Sequence, residues 1–330
     1  MKYIDISRLM ILGFPGTELT EDVKTFIKKY RPGGFIFFAD NFLTLAQADR
    51  LVHSVLDFSF KTHHFIPWLS IDHENKTNMR LPSPITPFPD APTLGKVLNK
   101  TTATVMGRTM GLELSDLGFN LNFAPVCDIL TPQTPTYLQR RCFSSNPEVV
   151  ATVVENFIAG MQSQGVFSCA KHFPGLGSAD KDPHRVLVST QRFLKEFQDK
   201  DWLPFERAIA AGVKFIMTSH VLCENLDPNN MATYSKNIVQ ERLVHELHFD
   251  GVIVCDDIRM GAIKEDLVHC TVRALSSGHH LIINSERHCM TNAQFLDKLQ
   301  QHIDSHSSLN HHIQAAIQKS CNLKSGPINK

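Results

Sequence analysis

The sequence lacks an excess of either charge. Among its 330 residues, 33 lysines and arginines balance 33 aspartates and glutamates, which leaves no formal net charge when the histidines are neutral. Binding to nucleic acid and adsorption to anionic membranes both depend on a basic excess. We therefore expect neither a nucleic-acid partner nor a membrane partner for this chain.

Long apolar runs and a high density of cysteine are also missing. No run approaches the roughly 20 residues that span a bilayer, and the start, MKYIDISRLMILGFPG, has acidic Asp5 and no small-residue cleavage site. The 8 cysteines are scattered, unlike those of the short, cysteine-dense disulfide scaffolds of secreted proteins. We therefore expect a cytoplasmic protein whose thiols are buried.

The sequence does contain a repeating alternation of strand-like and helix-like segments. Short apolar runs rich in β-branched and aromatic residues are each followed by a polar turn and a segment of helical periodicity. Eight runs are predicted as strands, at residues 8–14, 34–38, 68–72, 119–125, 168–173, 214–220, 252–257 and 280–284. The predicted helices between them cover residues 21–30, 45–58, 102–117, 148–164, 194–211, 235–247 and 260–277.

Eight strand–helix units favour an α/β fold of the closed (β/α)8 type, a TIM barrel. A doubly wound open sheet is the alternative, but such sheets usually have five or six strands, and no glycine-rich phosphate loop opens the first unit. We expect a single barrel domain over residues 1–330, with a helical, polar segment over residues 290–330.

A barrel fold also predicts where the functional site lies. The active site of a TIM barrel is built at the carboxyl ends of its strands. Acids, histidines and a lysine follow the predicted strands, at residues 72–74, 128, 171–172, 220 and 256–257. Because a buried carboxylate is costly unless it is paired, this pattern favours a shared polar cavity.

The loop after the fifth strand contains an aspartate and a histidine two residues apart. Asp182 can hold one nitrogen of the His184 imidazole while the other nitrogen faces a substrate, which would make a tunable acid/base pair. The alternative is a surface loop in which both side chains face water.

The seventh strand ends in two consecutive aspartates. Because consecutive side chains of a strand point to opposite sides, only one of Asp256 and Asp257 is expected to face the barrel axis. A carboxylate fixed there can attack an electrophilic carbon. The alternative is that both aspartates cap the next helix.

Five separated motifs resemble those of one enzyme family. The segment KHFPGLGSADKDPH is similar to the KHFPGHG…D-x-H signature of the glycoside hydrolase family 3 β-N-acetylglucosaminidases of bacterial cell-wall recycling. The segment FDGVIVCDDIRMGA resembles the family segment that carries the nucleophile. Three further segments match in the same order: NFAPVCDI, RRCFSSNPE and IDHE…R. The resemblance as a whole covers roughly residues 8–285.

This resemblance implies functional roles for nine residues. Asp256 corresponds to the catalytic nucleophile, His184 to the acid/base, and Asp182 to the partner of that histidine. The substrate-binding positions are Asp72, Arg80, Arg141, Lys171, His172 and Met260.

The resemblance also implies a reaction. A retaining hydrolase would remove β-linked N-acetylglucosamine from peptidoglycan turnover fragments, in which this sugar is joined to anhydro-N-acetylmuramic acid with or without a peptide. The intermediate would be a covalent glycosyl-enzyme on Asp256, and one of the usual two carboxylates would be replaced by a histidine. No metal or cofactor is expected, and we expect a monomer whose partner is this small sugar substrate.

The sequence departs from the family pattern at four places. After Glu74 the family has two glycines and an arginine, whereas residues 75–77 here are Asn-Lys-Thr, whose side chains hinder close approach of the backbone to a ligand. Leu176 replaces a histidine, and Pro183 replaces a serine and restricts Asp182 to extended backbone angles. Residues 277–279, Ser-Gly-His, replace an alanine-glycine-aspartate turn.

Three other functions remain open at this point. A phosphorylase of the same fold is one, because a neutral histidine does not repel an incoming phosphate. A non-catalytic N-acetylglucosamine-binding protein is another, because the glycine pair is lost. A metalloenzyme is the third, although no ligand spacing matches a zinc site; its candidate ligands are His269, Cys270, His279, His280, His288 and Cys289.

Overall fold

The computed structural model describes residues 5–97, 99–179, 181–306 and 309–325. Both ends of the predicted domain, residues 1–4 and 326–330, lie outside the described residues. Its strands are β1 Met10–Gly13, β2 Gly34–Phe37, β3 Trp68–Ile71, β4 Leu121–Asn122, β5 Phe167–Phe173, β6 Val188–Thr190, β7 Phe215–Thr218, β8 Val221–Cys223, β9 Val252–Cys255 and β10 Leu281–Asn284.

Eight of these strands close into a barrel. Its order is β1-β10-β9-β7-β5-β4-β3-β2, and every pair is parallel. Each predicted strand contributes one of the eight, so the predicted (β/α)8 fold is confirmed. The sequence analysis missed β6 and β8, which form a separate two-stranded parallel sheet.

Helices surround the barrel. They are α1 Glu21–Tyr30, α2 Leu45–His63, α3 Ala91–Val97, α4 Lys100–Asp116, α5 Thr136–Gln139, α6 Pro147–Gln162, α7 Leu194–Glu196, α8 Leu203–Ala210, α9 Leu267–Ser277, α10 Cys289–Ser305 and α11 Asn310–Ser325. Phe197–Asp201 and Asn237–Glu246 are π-helical, and Ile6–Leu9, Ala39–Asn41, Lys76–Asn78 and Ala232–Tyr234 are 3-10 turns. Among the described residues, no helix combines the length and the apolar character that crossing a bilayer requires.

Side-chain caps explain several helix starts. The side chains of Thr20, Thr44 and Asn99 accept hydrogen bonds from backbone N–H groups in the first turns of α1, α2 and α4. The side chain of Asp266 accepts from two backbone N–H groups and starts α9. The prediction of a helix from residue 260 is therefore wrong at its start, because turns occupy the chain before this cap.

The barrel interior and the helix layer divide the apolar side chains of each strand. In β9, Val252 and Val254 belong to the interior cluster, whereas Ile253 and Cys255 belong to the cluster between the barrel and the helices. This division follows from the two-residue repeat of a strand. The same repeat places the next residue, Asp256, on the interior side with Val252 and Val254.

The amino-terminal end of the barrel is covered. The rings of Trp68, Phe167 and Phe215 meet edge to face there, and the indole N–H of Trp68 donates to Ser320 Oγ of α11 at 2.8 Å. Ile313 and Ala316 of the same helix are fully buried. The predicted polar C-terminal segment is thus helical but also presents a buried apolar face.

Candidate active site

A cavity of about 240 Å³ lies at the carboxyl ends of the barrel strands. Seven of the nine predicted site residues line it: Asp72, Arg80, Arg141, Lys171, His172, His184 and Asp256. Thr77, Asn78, Tyr137 and Met217 complete the lining. The strand ends and the loop after β5 therefore meet over one space, as the positions of the polar residues predict.

The floor of the cavity is a chain of buried charges. Lys171 Nζ lies 2.7 Å from Asp72 Oδ1 and 2.8 Å from Glu74 Oε1. Arg141 donates to both carboxylate oxygens of Glu74, from Nε at 2.9 Å and from Nη2 at 2.7 Å. The sequence analysis placed Glu74 among the polar residues that follow the strands but gave it no role, although it lies in the matched IDHE motif.

Pairing keeps these groups charged in spite of their burial. Burial raises the pKa of Glu74, but the charges of Arg141 and Lys171 outweigh it and hold that pKa well below its usual value. Burial lowers the pKa of Lys171, but Asp72 and Glu74 raise it above its usual value. Lys171 and Arg141 therefore remain charged at neutral pH, and their ion pairs hold them at the floor of the cavity.

His172 is oriented from behind by a buried carboxylate. Its Nδ1 lies 2.7 Å from Asp128 Oδ2, and Asp128 Oδ1 accepts the backbone N–H of Leu176 at 2.6 Å. Leu176, at the position where the family has a histidine, is itself buried. The sequence analysis placed Asp128 among the polar residues that follow the strands but gave it no role, although its position in the NFAPVCDI motif after β4 was a usable signal.

The two aspartates after β9 point in different directions, as predicted. Asp256 lines the cavity, and its Oδ1 accepts the backbone N–H of Asp257 at 2.8 Å. The carboxylate of Asp257 turns away and accepts hydrogen bonds from the backbone N–H and the hydroxyl of Ser285. Asp257 therefore ties the end of β9 to the end of β10.

The surroundings of Asp256 favour its ionised form. Burial raises the pKa of this carboxyl, but the imidazoles of His172 and His220 and the bond from Asp257 hold it below its usual value. His220, to which the sequence analysis gave no role, is fully buried, with Nε2 3.0 Å from the Asp257 carbonyl oxygen and Nδ1 2.7 Å from Thr233 Oγ1.

The loop after β5 carries the expected histidine–aspartate pair. His184 Nδ1 lies 2.6 Å from Asp182 Oδ1, and the backbone N–H of His184 donates to the same oxygen at 3.0 Å. The backbone N–H groups of Gly261 and Ala262 donate to the carbonyls of His184 and Pro183 at 2.9 and 3.0 Å. The loop is thereby docked on the turn that follows Asp256.

Asp182 and Met260 are not among the described side chains that line the cavity. Asp182 contacts it only through His184. Met260 is buried in the turn after β9, where its backbone N–H donates to the Asp257 carbonyl. The methionine that reaches the cavity is Met217 of β7.

The segment that lacks the glycine pair folds without backbone strain. Asn75 caps the 3-10 turn Lys76–Asn78 through its side chain, and no residue of 75–77 has a positive φ. Thr77 and Asn78 line the cavity, and Asn78 donates to Glu74 Oε1 at 3.1 Å. The glycines are therefore not required for this turn.

The candidate metal ligands do not form a site. Within the described residues, no group of three or more histidines, cysteines, aspartates or glutamates is placed to hold a metal ion. Cys270 and His279 are each buried in the helix layer.

Comparison with known proteins agrees with the motifs. The family model "Glycosyl hydrolase family 3 N terminal domain" matches residues 5–323. The chain is 30% identical to a beta-hexosaminidase of Nitrosomonas eutropha over 282 residues, which are 83% of this chain and 79% of that protein. It is 32% identical to a beta-hexosaminidase of Thioalkalivibrio sulfidiphilus over 261 residues, 77% of this chain and 73% of that protein.

Solved structures share the barrel. A glycoside hydrolase family 3 beta-N-acetylglucosaminidase from Paenibacillus superposes with a TM-score of 0.92 at 30% identity over 98% of this chain. This chain spans 62% of the length of that enzyme. By its motifs, its barrel and these relatives, the chain belongs to glycosyl hydrolase family 3 and is a glycoside hydrolase related to the beta-hexosaminidases.

Proposed function

We propose that this chain is a retaining β-N-acetylglucosaminidase that removes N-acetylglucosamine from peptidoglycan turnover fragments. The observation that carries the proposal is that Asp256 and His184, whose Nδ1 contacts Asp182, line one cavity of a family 3 barrel. A cavity of about 240 Å³ has room to enclose one sugar ring, so a leaving-group sugar would lie at its opening.

The first step forms a covalent intermediate. An Asp256 oxygen attacks the anomeric carbon, the bond to the leaving oxygen breaks, and protonated His184 gives its proton to that oxygen. The lowered pKa of Asp256 supplies the ionised nucleophile. Because Asp182 holds Nδ1 of His184, Nε2 is the nitrogen that serves the substrate.

The second step releases the sugar. Water attacks the anomeric carbon, His184 Nε2 takes the water proton, and Asp256 leaves as a carboxylate. An imidazole suits this role because a second carboxylate beside Asp256 would raise the pKa of one of the two by repulsion.

The remaining polar groups would orient the sugar. Four of them are held in place by their own partners and can bind hydroxyl groups without rearranging: Lys171, Arg141, Asp72 and His172. Binding to these groups would therefore orient the anomeric carbon for attack. Arg80 has a buried Nε without a hydrogen-bond partner among the described residues, as expected of a group that awaits a ligand. The joined anhydro-N-acetylmuramic acid, with or without a peptide, is inferred from the resemblance to cell-wall recycling enzymes.

The nucleophile is tested by Asp256→Ala. We expect this variant to lose at least about 10³-fold in kcat on an aryl β-N-acetylglucosaminide, because it lacks the carboxylate that would form the covalent intermediate. Asp90→Ala, at a surface aspartate, serves as the control. Retention of most activity in Asp256→Ala would contradict the proposal.

The acid is tested by His184→Ala on substrates with different leaving groups. We expect a larger loss on poor leaving groups than on good ones, because only poor ones need protonation. An equal loss on both would argue against this role.

A separate experiment distinguishes hydrolysis from phosphorolysis. Inorganic phosphate is added to the wild type, and the products are analysed for a sugar 1-phosphate.

A further inference from the structure

Tyr137 lines the cavity but has no part in the mechanism above. Its ring meets the His184 imidazole edge to face, with centroids 5.4 Å apart and planes at 86°. Its hydroxyl is buried and has no hydrogen-bond partner among the described residues. A buried tyrosine hydroxyl normally finds a partner, so an unpartnered one at the cavity points to a ligand atom.

The local chain fixes the direction of this side chain. The short helix α5 follows Pro135, and the fully buried Leu138 anchors it to the core. Tyr137 lies within α5, Arg141 lies in the turn that follows it, and both line the cavity. Arg141 is held in turn by Glu74.

The electrostatic environment keeps the phenol protonated. Burial raises the pKa of Tyr137 far above its usual value, and the charges of Asp128, Asp182 and Asp256 raise it further. A protonated phenol offers one donor and can also accept a hydrogen bond. Sugar hydroxyls and ring oxygens match both capacities.

We infer that Tyr137 binds the leaving-group sugar, with its hydroxyl donating to an oxygen of that sugar and its ring positioning His184 beside the glycosidic oxygen. The inference rests on the proposed function, because His184 marks the bond that breaks. A ring packed on that imidazole lies at the boundary between the two sugars, whereas Lys171, Asp72 and Arg141 form the floor beneath the N-acetylglucosamine.

Tyr137→Phe tests the hydroxyl, because it removes the oxygen and keeps the ring. We expect kcat/KM on a β-N-acetylglucosaminyl disaccharide to fall about five- to tenfold, as for one lost hydrogen bond. On an aryl glycoside, whose leaving group has no sugar oxygens, kcat/KM should stay within about twofold, and inhibition by N-acetylglucosamine should be unchanged. Tyr234→Phe, at a phenol that does not line the cavity, is the matched control.

An equal loss on both substrates, or no loss on either, would overturn the contact with the leaving-group sugar. Tyr137→Leu tests the positioning by the ring. On aryl glycosides that differ only in their leaving group, it should lower kcat on poor leaving groups more than on good ones. Tyr137→Phe, which keeps the ring, should show the wild-type dependence on these substrates. An unchanged leaving-group dependence in Tyr137→Leu would overturn the positioning role.

The failure of this inference can be told apart from that of the proposed function. If the wild type releases no N-acetylglucosamine, or if Asp256→Ala stays active, the proposed function fails and this inference fails with it. If wild type and Asp256→Ala behave as expected, the Tyr137 variants decide only the role of Tyr137.

Discussion

Among single residues, Glu74 is the one that pairs with both cations of the cavity floor. Its side chain is 3% exposed and accepts from both Arg141 and Lys171. Removing one partner of a buried pair leaves an uncompensated charge. We predict that Glu74→Gln lowers the free energy of unfolding by about 3 kcal/mol and raises KM, because Arg141 loses its charged partner and Lys171 keeps only Asp72. Urea unfolding and steady-state kinetics measure both effects.

Asp90 provides the control for this prediction. It pairs with Arg140 at 3.3 Å on the surface, where Arg140 is 60% exposed. Such pairs contribute about 0–1 kcal/mol to stability. Asp90→Asn should therefore change neither the free energy of unfolding nor KM appreciably. If Glu74→Gln costs no more stability than Asp90→Asn, the buried charge chain does not stabilise the site.

Among structural elements, the loop carrying His184 and the turn after β9 act together. A Cβ atom on Gly261 would lie 2.5 Å from the Arg185 carbonyl oxygen and 2.6 Å from that of His184. Gly261→Ala must therefore displace the loop. Because a shift of about 1 Å at a reacting group can cost about 10²-fold in rate, we predict a fall in kcat of at least about tenfold.

Gly212→Ala separates this effect from general strain. Gly212 has a φ of +77° and open space around its Cβ position, in the turn between α8 and β7, away from the cavity. Its substitution should lower stability while leaving kcat unchanged. Wild-type kcat in Gly261→Ala would show that the docking of the loop does not matter for turnover.

In the molecule as a whole, buried histidines make stability depend on pH. Burial lowers the pKa of His279 to about 3, and its ring nitrogens lie 2.7 Å from Thr218 Oγ1 and 3.0 Å from the Ala274 carbonyl oxygen. In the unfolded chain a histidine titrates near 6.5, so unfolding takes up a proton between these values. Stability therefore falls as the pH decreases below about 6.5.

We predict that His279→Gln flattens this dependence. Between pH 7 and pH 5 the wild type should lose about 2 kcal/mol more stability than the variant, from the difference between folded and unfolded pKa. Urea unfolding at both pH values measures it, with the exposed His245→Gln as the control. Parallel curves for wild type and His279→Gln would show that His279 does not carry the proton linkage.

The sequence by itself determined the barrel and the end of it where the cavity lies. Apolar runs with a two-residue repeat, separated by helical segments, specify eight parallel strands, and polar residues after those runs mark the carboxyl ends. The same repeat indicated that Asp256 and Asp257 face opposite ways, and the two-residue spacing of Asp182 and His184 indicated their pairing. These features depend on neighbours in the chain, so local patterns reveal them.

Only the tertiary structure decided which side chains hold these groups in place. Glu74 follows β3 and meets Lys171 of β5, Asp128 supports His172 from another loop, Tyr137 reaches His184, and Gly261 receives the acid/base loop. Each of these contacts joins segments that are far apart in the chain. Their partners follow from strand register and barrel closure, which no local repeat in the sequence records.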